Sequence, residues 1–162
     1  MKKIINEDHP QNKAIILLFT LLIIGVIIGL LVSFGSLAIL QRRAGNFDEI
    51  ALFWNAFRLN FTLDTIIICL NLSLLSGLLL TYKKDYQQTH SPFILGLLLF
   101  LFVLFIQSLL SLPILNLLVS MIELGKQGAL NIFLTYKSSI FGILSHFFET
   151  IALIILFNLS KE

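Results

Sequence analysis

Residues 14–40 read AIILLFTLLIIGVIIGLLVSFGSLAIL, a run of 27 positions without a charged side chain. As an α-helix this run is about 40 Å long at ~1.5 Å per residue, and roughly 20 apolar residues suffice to cross the hydrocarbon core of a bilayer. A secretory signal peptide has a shorter apolar core that ends at a small-residue cleavage site. The run therefore predicts a membrane-spanning helix rather than a cleaved leader.

The composition of the whole chain agrees with this. Of its 162 residues, 57% are hydrophobic and only 12% are charged, and the mean hydropathy is +0.96, whereas soluble domains carry roughly a quarter charged residues. The single cysteine argues against a disulfide scaffold, and 15 phenylalanines argue against a disordered chain. The net charge of +2 does not indicate a nucleic-acid partner. A lipid bilayer is therefore the expected surroundings.

Three further apolar runs predict spans at 59–82, 93–119 and 139–159. Pro113 is expected to end or kink the third of these helices. For residues 114–135 we expect the far end of that helix and then an interfacial or re-entrant segment, with a fifth span as the alternative. The predicted fold is an all-α integral membrane protein with four transmembrane helices, forming one membrane domain over residues 1–162.

The connection between the first two spans has a pattern of its own. Asn46 and Glu49 have the spacing of a capping box, and the aromatic residues that follow lie near one helical face. Trp54, Phe57 and Arg58 are residue types that anchor a helix at the headgroup level. We expect a short amphipathic helix at 46–58 lying in the membrane interface, with a water-exposed linker as the alternative.

Orientation depends on basic residues. Four spans put both termini on one side, which then holds six basic residues, while the opposite side holds five. The six are Lys2, Lys3, Lys13, Lys83, Lys84 and Lys161, and the five are Arg42, Arg43, Arg58, Lys126 and Lys137. The positive-inside rule places the richer side in the cytoplasm. We therefore expect a multi-pass protein of the cell membrane with both termini cytoplasmic.

Polar residues recur in the middle of these apolar runs, where they are costly and call for a partner. Glu149 is at the centre of the last span with His146 one turn before it on the same face. In the second span Asn60, Asp64 and Asn71 form a polar stripe, and Gln107 is near the middle of the third. Because these groups lie at similar depths, we predict a buried cluster of Asn71, Gln107, His146 and Glu149.

The cluster has several interpretations at the level of sequence. It can be interhelical hydrogen bonding alone, a proton-binding or metal-binding pair, or the acid and base of an intramembrane hydrolase with Glu149 and His146 as candidate catalytic residues. The chain has no H-E-x-x-H and no G-x-S-x-G sequence. No metal or other cofactor is therefore expected, and whether the chain is an enzyme is open.

Two glycines and a serine in the first span share one face. Gly25, Gly29 and Ser33 follow the small-x-x-x-small pattern that lets membrane helices approach closely. The partner of this face is either another helix of the chain or a second copy of it.

The chain lacks a phosphate-binding loop. Gly125 and Lys126 are followed by Gln127, and Ser120 stands where that loop requires a glycine. A nucleotide-driven process would therefore need a separate ATP-binding protein.

In the order of these features the chain resembles the stage II sporulation protein M family. The residues that carry the resemblance are Gly25 and Gly29, Asn60 in the sequence Leu59-Asn60-Phe61, Gly77, and the late stretch 145–149 followed by Ala152. The chain differs in having His146 and Glu149 separated by three rather than four residues, and Ser91-Pro92 where the family has Asn-Gly.

The resemblance implies a place in larger membrane machines. Some members of that family join the cell-wall remodelling complex of sporulation, and shorter ones belong to circular bacteriocin gene clusters. The expectation is a membrane subunit that matures or exports a hydrophobic peptide together with a cytoplasmic ATPase, as in an ABC transporter, and with other membrane subunits. The alternatives are an intramembrane peptidase or cyclase, a structural assembly factor of a sporulation-type complex, and a producer immunity protein.

Overall fold

The computed structural model describes residues 10–44, 51–115 and 140–159. Within these residues the chain is all-helical and contains no β-strand, which confirms the predicted all-α class. We number the helices α1 (Pro10–Ala44), α2 (Ala51–Thr89), α3 (Pro92–Leu110) and α4 (Ile140–Leu159).

The length and composition of these helices match membrane spans. Each contains a stretch apolar and long enough to cross a bilayer, namely Ile15–Arg42, Phe57–Thr89, Pro92–Leu110 and Gly142–Leu159. At ~1.5 Å per residue α1 is about 52 Å long and α2 about 58 Å, whereas a hydrocarbon core is about 30 Å thick. Both helices of the first pair therefore exceed the thickness of a bilayer.

Helices α1 and α2 extend beyond the spans predicted at 14–40 and 59–82, and two further boundaries differ from the structure. Residues 51–58, expected in a separate interfacial helix, form the first turns of α2, which runs without a break from Ala51 because no proline interrupts it. Of the expected 46–58 helix, residues 46–50 lie outside the described residues. The third helix ends at Leu110 instead of 119, and of the expected 114–135 segment only 114 and 115 are described.

Helices α1 and α2 form a close antiparallel pair. A Cβ on Gly25 would lie 2.9 Å from the Cα of Leu70, and a Cβ on Gly29 would lie 2.7 Å from the Cα of Ile66. Each step of four residues along α1 is thus matched by a step of four back along α2. One turn farther, the Ser33 hydroxyl donates a hydrogen bond of 2.8 Å to the Thr62 hydroxyl. The small-residue face of α1 therefore packs on α2 of the same chain.

Helix α2 is the centre of the bundle. It packs against α1, α3 and α4, and half of the residues in its most apolar window are buried, against 17% for α1, 11% for α3 and 17% for α4. The buried core includes Leu18, Leu74, Leu75, Leu78, Leu101, Leu153 and Phe157, drawn from all four helices. The other three helices keep most of their apolar surface exposed, as expected for helices surrounded by lipid.

The turn between α2 and α3 is two residues long. His90 adopts the left-handed conformation with φ of 48°, and its N–H donates to the Tyr86 carbonyl at 2.8 Å, which ends α2 in the way a glycine usually does. Ser91 is extended and Pro92 begins α3, where a missing N–H costs nothing. The tight turn makes α3 antiparallel to α2.

The direction of α4 follows from its contacts with α2. Asn71 contacts residues 146–150, and Gly77, nearer the end of α2, lies against the ring of Phe157. Residue numbers therefore increase in the same direction along α2 and α4. Helix α4 is parallel to α2 and antiparallel to α1. Pro10 and Leu159 lie at the same end of the bundle.

Candidate functional site

A fully buried amide lies on the face of α2 that packs against α4. The side-chain nitrogen of Asn71 donates to the backbone carbonyl of His146 and to Oε2 of Glu149, each at 3.1 Å. Its side-chain oxygen accepts a hydrogen bond of 2.6 Å from the Thr150 hydroxyl. Both N–H groups and the carbonyl of the amide are thus used, as a buried polar group requires.

These partners determine the orientation of the Asn71 amide. A hydroxyl donor faces its oxygen, and two acceptors, a backbone carbonyl and a carboxylate, face its nitrogen. Exchanging the amide oxygen and nitrogen would put the oxygen against two acceptors. Asn71 therefore donates to Glu149, and the bond from Thr150 to its oxygen helps to orient the amide.

The carboxyl group of Glu149 receives hydrogen bonds from two helices. Ser108 on α3 donates to Oε1 at 3.0 Å, and Asn71 on α2 donates to Oε2. The Nδ1 atom of His146 lies 3.4 Å from Oε2, and the side chains of His146 and Glu149 are 18% and 19% exposed. The carboxylate thus accepts from donors on two neighbouring helices and has the imidazole of its own helix beside it.

Helix α3 ends beside this carboxylate. Pro113 is fully buried and has no N–H, so the Leu109 carbonyl cannot receive its α-helical hydrogen bond. Leu112 N–H instead reaches the Leu109 carbonyl at 3.3 Å, and the helix stops at Leu110. Ser108, the residue that contacts Glu149, is in this last turn, which places the carbonyl end of α3 next to the site.

Of the four residues predicted to form the cluster, the structure brings three together: Asn71, His146 and Glu149. The side chain of Gln107 is exposed, and Ser108 takes the expected place on α3. Ser108 is seven residues after the buried Leu101 and lies on the same helical face, which the structure turns toward α4.

Thr150 was also missed from the sequence. It is four residues after His146 and therefore one turn along the same face, and its single hydroxyl hydrogen is shared between the His146 carbonyl at 2.9 Å and the Asn71 side-chain oxygen at 2.6 Å. The spacing was visible in the sequence, but a threonine in an apolar helix commonly bonds only to its own helix.

The other residues of the second-span stripe lie toward the beginning of α2. Asp64 is two turns before Asn71 on the same face, is 6% exposed, and interacts electrostatically with His146. Asn60 is half-buried. The acidic group nearest to the pair from α2 is thus Asp64.

The expected interfacial anchors lie in the first turns of α2. Phe57 is buried, with its ring centroid 5.6 Å from that of Phe61, and Arg58 is exposed. Trp54 is part of α2, and its side chain lies outside the described residues. Phe57 therefore contributes to packing within the bundle.

The chemistry open to the site follows from its donors and acceptors. Within residues 10–44, 51–115 and 140–159 no three His, Cys, Asp or Glu side chains are grouped so that they could hold a metal ion. What the site offers is a carboxylate held by an amide and a hydroxyl, with one imidazole beside it. That arrangement can keep a charged acid in an apolar bundle.

Comparison with known proteins gives one match. The model of DUF8036, described as a family of unknown function, matches residues 60–161, which include α2 from Asn60 onward, α3, α4 and every residue of the cluster. No curated protein matches the chain. No solved structure matches it either.

Proposed function

The chain belongs to the DUF8036 family, and we propose from its own residues that it is the membrane subunit of a complex that matures or exports a hydrophobic peptide. In this proposal it is a multi-pass protein of the cell membrane that works with a separate ATP-binding protein. The observation that carries the proposal is the hydrogen-bonded carboxylate of Glu149, set among three apolar helices where one of them stops.

An acid at this position costs free energy that a purely structural protein would not need to spend. Apolar side chains would pack the same helices without the cost of placing a charge among them. Polar centres beside interrupted helices are common where membrane transport proteins bind what they move. The arrangement at Glu149, Asn71 and Ser108 supports a role in handling a substrate within the membrane.

The exposed surfaces support association with other membrane subunits. Large apolar side chains are exposed on every helix of the described bundle, for example Leu31 at 69%, Leu80 at 70% and Phe93 at 77%. The edge of the cluster is also partly exposed, since neither His146 nor Glu149 is fully covered. A partner or water at that edge would spare the pair contact with lipid.

The sequence is the basis for proposing an ATP-binding protein and a peptide substrate. The chain lacks a phosphate-binding loop, so energy from ATP requires a partner. The hydrophobic peptide of the circular bacteriocin type rests on the resemblance to the stage II sporulation protein M family. The position of Pro10 and Leu159 at one end of the bundle supports the two termini sharing a side, and we propose from the basic residues that this side is the cytoplasm.

A second candidate function is supported by the approach of His146 to Glu149. With Nδ1 3.4 Å from Oε2, the two side chains have the composition of an acid and base that could act on a peptide bond. In this candidate the chain is an intramembrane peptidase or cyclase. It predicts that unprocessed precursor accumulates when Glu149 loses its charge.

The test uses cells that carry a circular bacteriocin precursor and lack the native chain. They are complemented with a tagged wild type, with Glu149→Gln, or with Phe148→Leu, a control at the neighbouring position that is 62% exposed. We expect an ATP-binding protein to copurify with all three forms in mild detergent. Release of mature peptide should fall in Glu149→Gln alone.

Other outcomes separate the alternatives. Failure of any ATP-binding protein to copurify with the wild type would contradict the transport proposal. Uncleaved or linear precursor in Glu149→Gln would favour the peptidase or cyclase. Normal peptide release with Glu149→Gln, in a complex that still assembles, would indicate a structural assembly factor or an immunity protein.

A further inference from the structure

We propose that Glu149 and His146 form a proton-binding site, in which the Glu149 carboxyl group gains and loses a proton while Ser108 reverses its hydrogen bond. The site lies where α3 ends against α4. Proton binding by the chain alone stands without the peptide or the ATP-binding protein, and only its use in transport rests on the proposed function.

The hydrogen-bond partners can accommodate both forms of the acid. In the ionised form Oε1 accepts from the Ser108 hydroxyl and Oε2 from the Asn71 amide. In the neutral form the new O–H donates to the oxygen of Ser108, because a hydroxyl both donates and accepts. The Ser108 hydrogen then turns to the Leu104 carbonyl one turn back, the usual bond of a helical serine.

Asn71 is suited to remain fixed through this exchange. Its amide keeps one orientation because its nitrogen donates to the backbone carbonyl of His146 at 3.1 Å, an acceptor in both states, and its oxygen accepts from Thr150 at 2.6 Å. It therefore donates to one carboxyl oxygen in both states, to a carboxylate oxygen in the first and to the C=O of the acid in the second. One partner is rigid and the other is reversible, which is what a site with two protonation states needs.

His146 provides the route for the proton. Its side chain is partly exposed, as is that of Glu149, and its Nδ1 is 3.4 Å from Oε2. A proton taken up at Nε2 gives an imidazolium. When the Nδ1–H bond breaks and an O–H bond forms on Glu149, the ion pair becomes two neutral groups. A half-turn of the symmetric carboxyl group brings its O–H to Ser108.

Among residues 10–44, 51–115 and 140–159, few other titratable side chains face the pair. From α2 the charged group facing the pair is Asp64, which interacts electrostatically with His146. Helix α3 has no titratable side chain between Pro92 and Leu110, and α1 has none between residues 14 and 41. The carbonyl end of α3 adds negative partial charge next to Glu149, as at the proton and sodium sites of interrupted transporter helices.

The experiment is infrared difference spectroscopy on the purified full chain in lipid nanodiscs, titrated from about pH 9 to about pH 4, a range that brackets ordinary carboxyl and imidazole values. The other Asp and Glu side chains of the chain also become protonated towards pH 4, so we expect the C=O signal of the wild type to contain one additional band that is missing in Glu149→Gln. Asp64→Asn is the matched control and should keep the band. Ser108→Ala should keep the band at a higher frequency, because the acid then donates to no hydroxyl.

The relay role of His146 has its own readout. After a rapid drop in pH, the band should grow at least about tenfold more slowly in His146→Gln, because the proton loses its positioned carrier. The proposal is overturned if, in protein that circular dichroism shows to be folded, the wild type and Glu149→Gln give the same C=O signal, or if the additional band is lost in Asp64→Asn instead of Glu149→Gln. Because no partner is present, this result does not depend on whether an ATP-binding protein is ever found.

Discussion

The two faces of α2 hold their neighbours by opposite means. Toward α1 the backbones come so close that a single methyl group at Gly25 or Gly29 would meet the opposite Cα. Toward α4 the contact is made by polar atoms, with Asn71 bonded to His146, Glu149 and Thr150. The first face depends on shape and the second on hydrogen bonds. Substitutions on the two faces should therefore differ in how much they lower the free energy of unfolding and in whether a second substitution can restore it.

The largest effect is expected at the close face. Gly29→Leu places a side chain where even a Cβ would be 2.7 Å from the Ile66 Cα, so the helices must separate. We expect the free energy of unfolding to fall by about 3 kcal/mol, measured by SDS titration followed by circular dichroism. Gly35→Leu is the matched control, because nothing lies within 4 Å of a Cβ at Gly35. Equal stability of the two variants would contradict the close packing.

The next effect is expected at the polar face. Asn71→Leu removes a donor from Glu149 and an acceptor from Thr150, and we expect a loss of about 2 kcal/mol in the same titration. Asn60→Leu, a half-buried asparagine of the same helix, serves as the control and should change stability by less than about 0.5 kcal/mol.

A second substitution sharpens this prediction. If the loss comes from an unsatisfied carboxylate, Asn71→Leu combined with Glu149→Met should recover most of it, because no charged group is then left without donors. A double variant less stable than Asn71→Leu would show instead that the network contributes through packing. No corresponding repair exists for Gly29→Leu, which separates the two faces.

A smaller effect on stability distinguishes Gln107, which the sequence predicted as the α3 contact of Glu149, from Ser108, which makes that contact in the structure. In double-mutant cycles with Glu149→Gln, Ser108→Ala should show a coupling energy of about 1 kcal/mol, and Gln107→Ala should show none beyond error. Both are measured by the same unfolding titration. A coupling energy at Gln107 equal to that at Ser108 would indicate that Gln107, the residue predicted from the sequence, also contacts Glu149.

This difference indicates what the sequence could and could not predict. The four apolar helices follow from uncharged runs such as 14–40, and the close face follows from the four-residue spacing of Gly25, Gly29 and Ser33. Glu149 stands out because an acid in an apolar helix needs partners. Choosing between Gln107 and Ser108 requires the rotation of α3 about its axis, since neighbouring residues point about 100° apart. The packing around Leu101 sets that rotation, and the depth of a residue within its span does not predict it.

Helix ends were less predictable for a related reason. The pattern before residue 59 suited a separate amphipathic helix as well as an extension of the second span. In the structure it is an extension, and Phe57 packs against Phe61 across the expected boundary. Pro113 was identified as a breaker, but the loss of its N–H is felt one turn earlier, at Leu109. The helix therefore ends at Leu110, several residues before the apolar run does.

The smallest effect is expected where the close face itself contains a hydrogen bond. Ser33→Ala removes the 2.8 Å bond to Thr62, and we expect a loss of only about 0.6 kcal/mol, the average for such bonds between membrane helices. The loss is small because the Thr62 oxygen loses one accepted bond while its own O–H stays free to donate. Ser36→Ala, which loses only a bond within α1, is the control for the unfolding titration. If Ser33→Ala were as damaging as Asn71→Leu, the close face would also depend on hydrogen bonds, and the contrast between the two faces of α2 would fail.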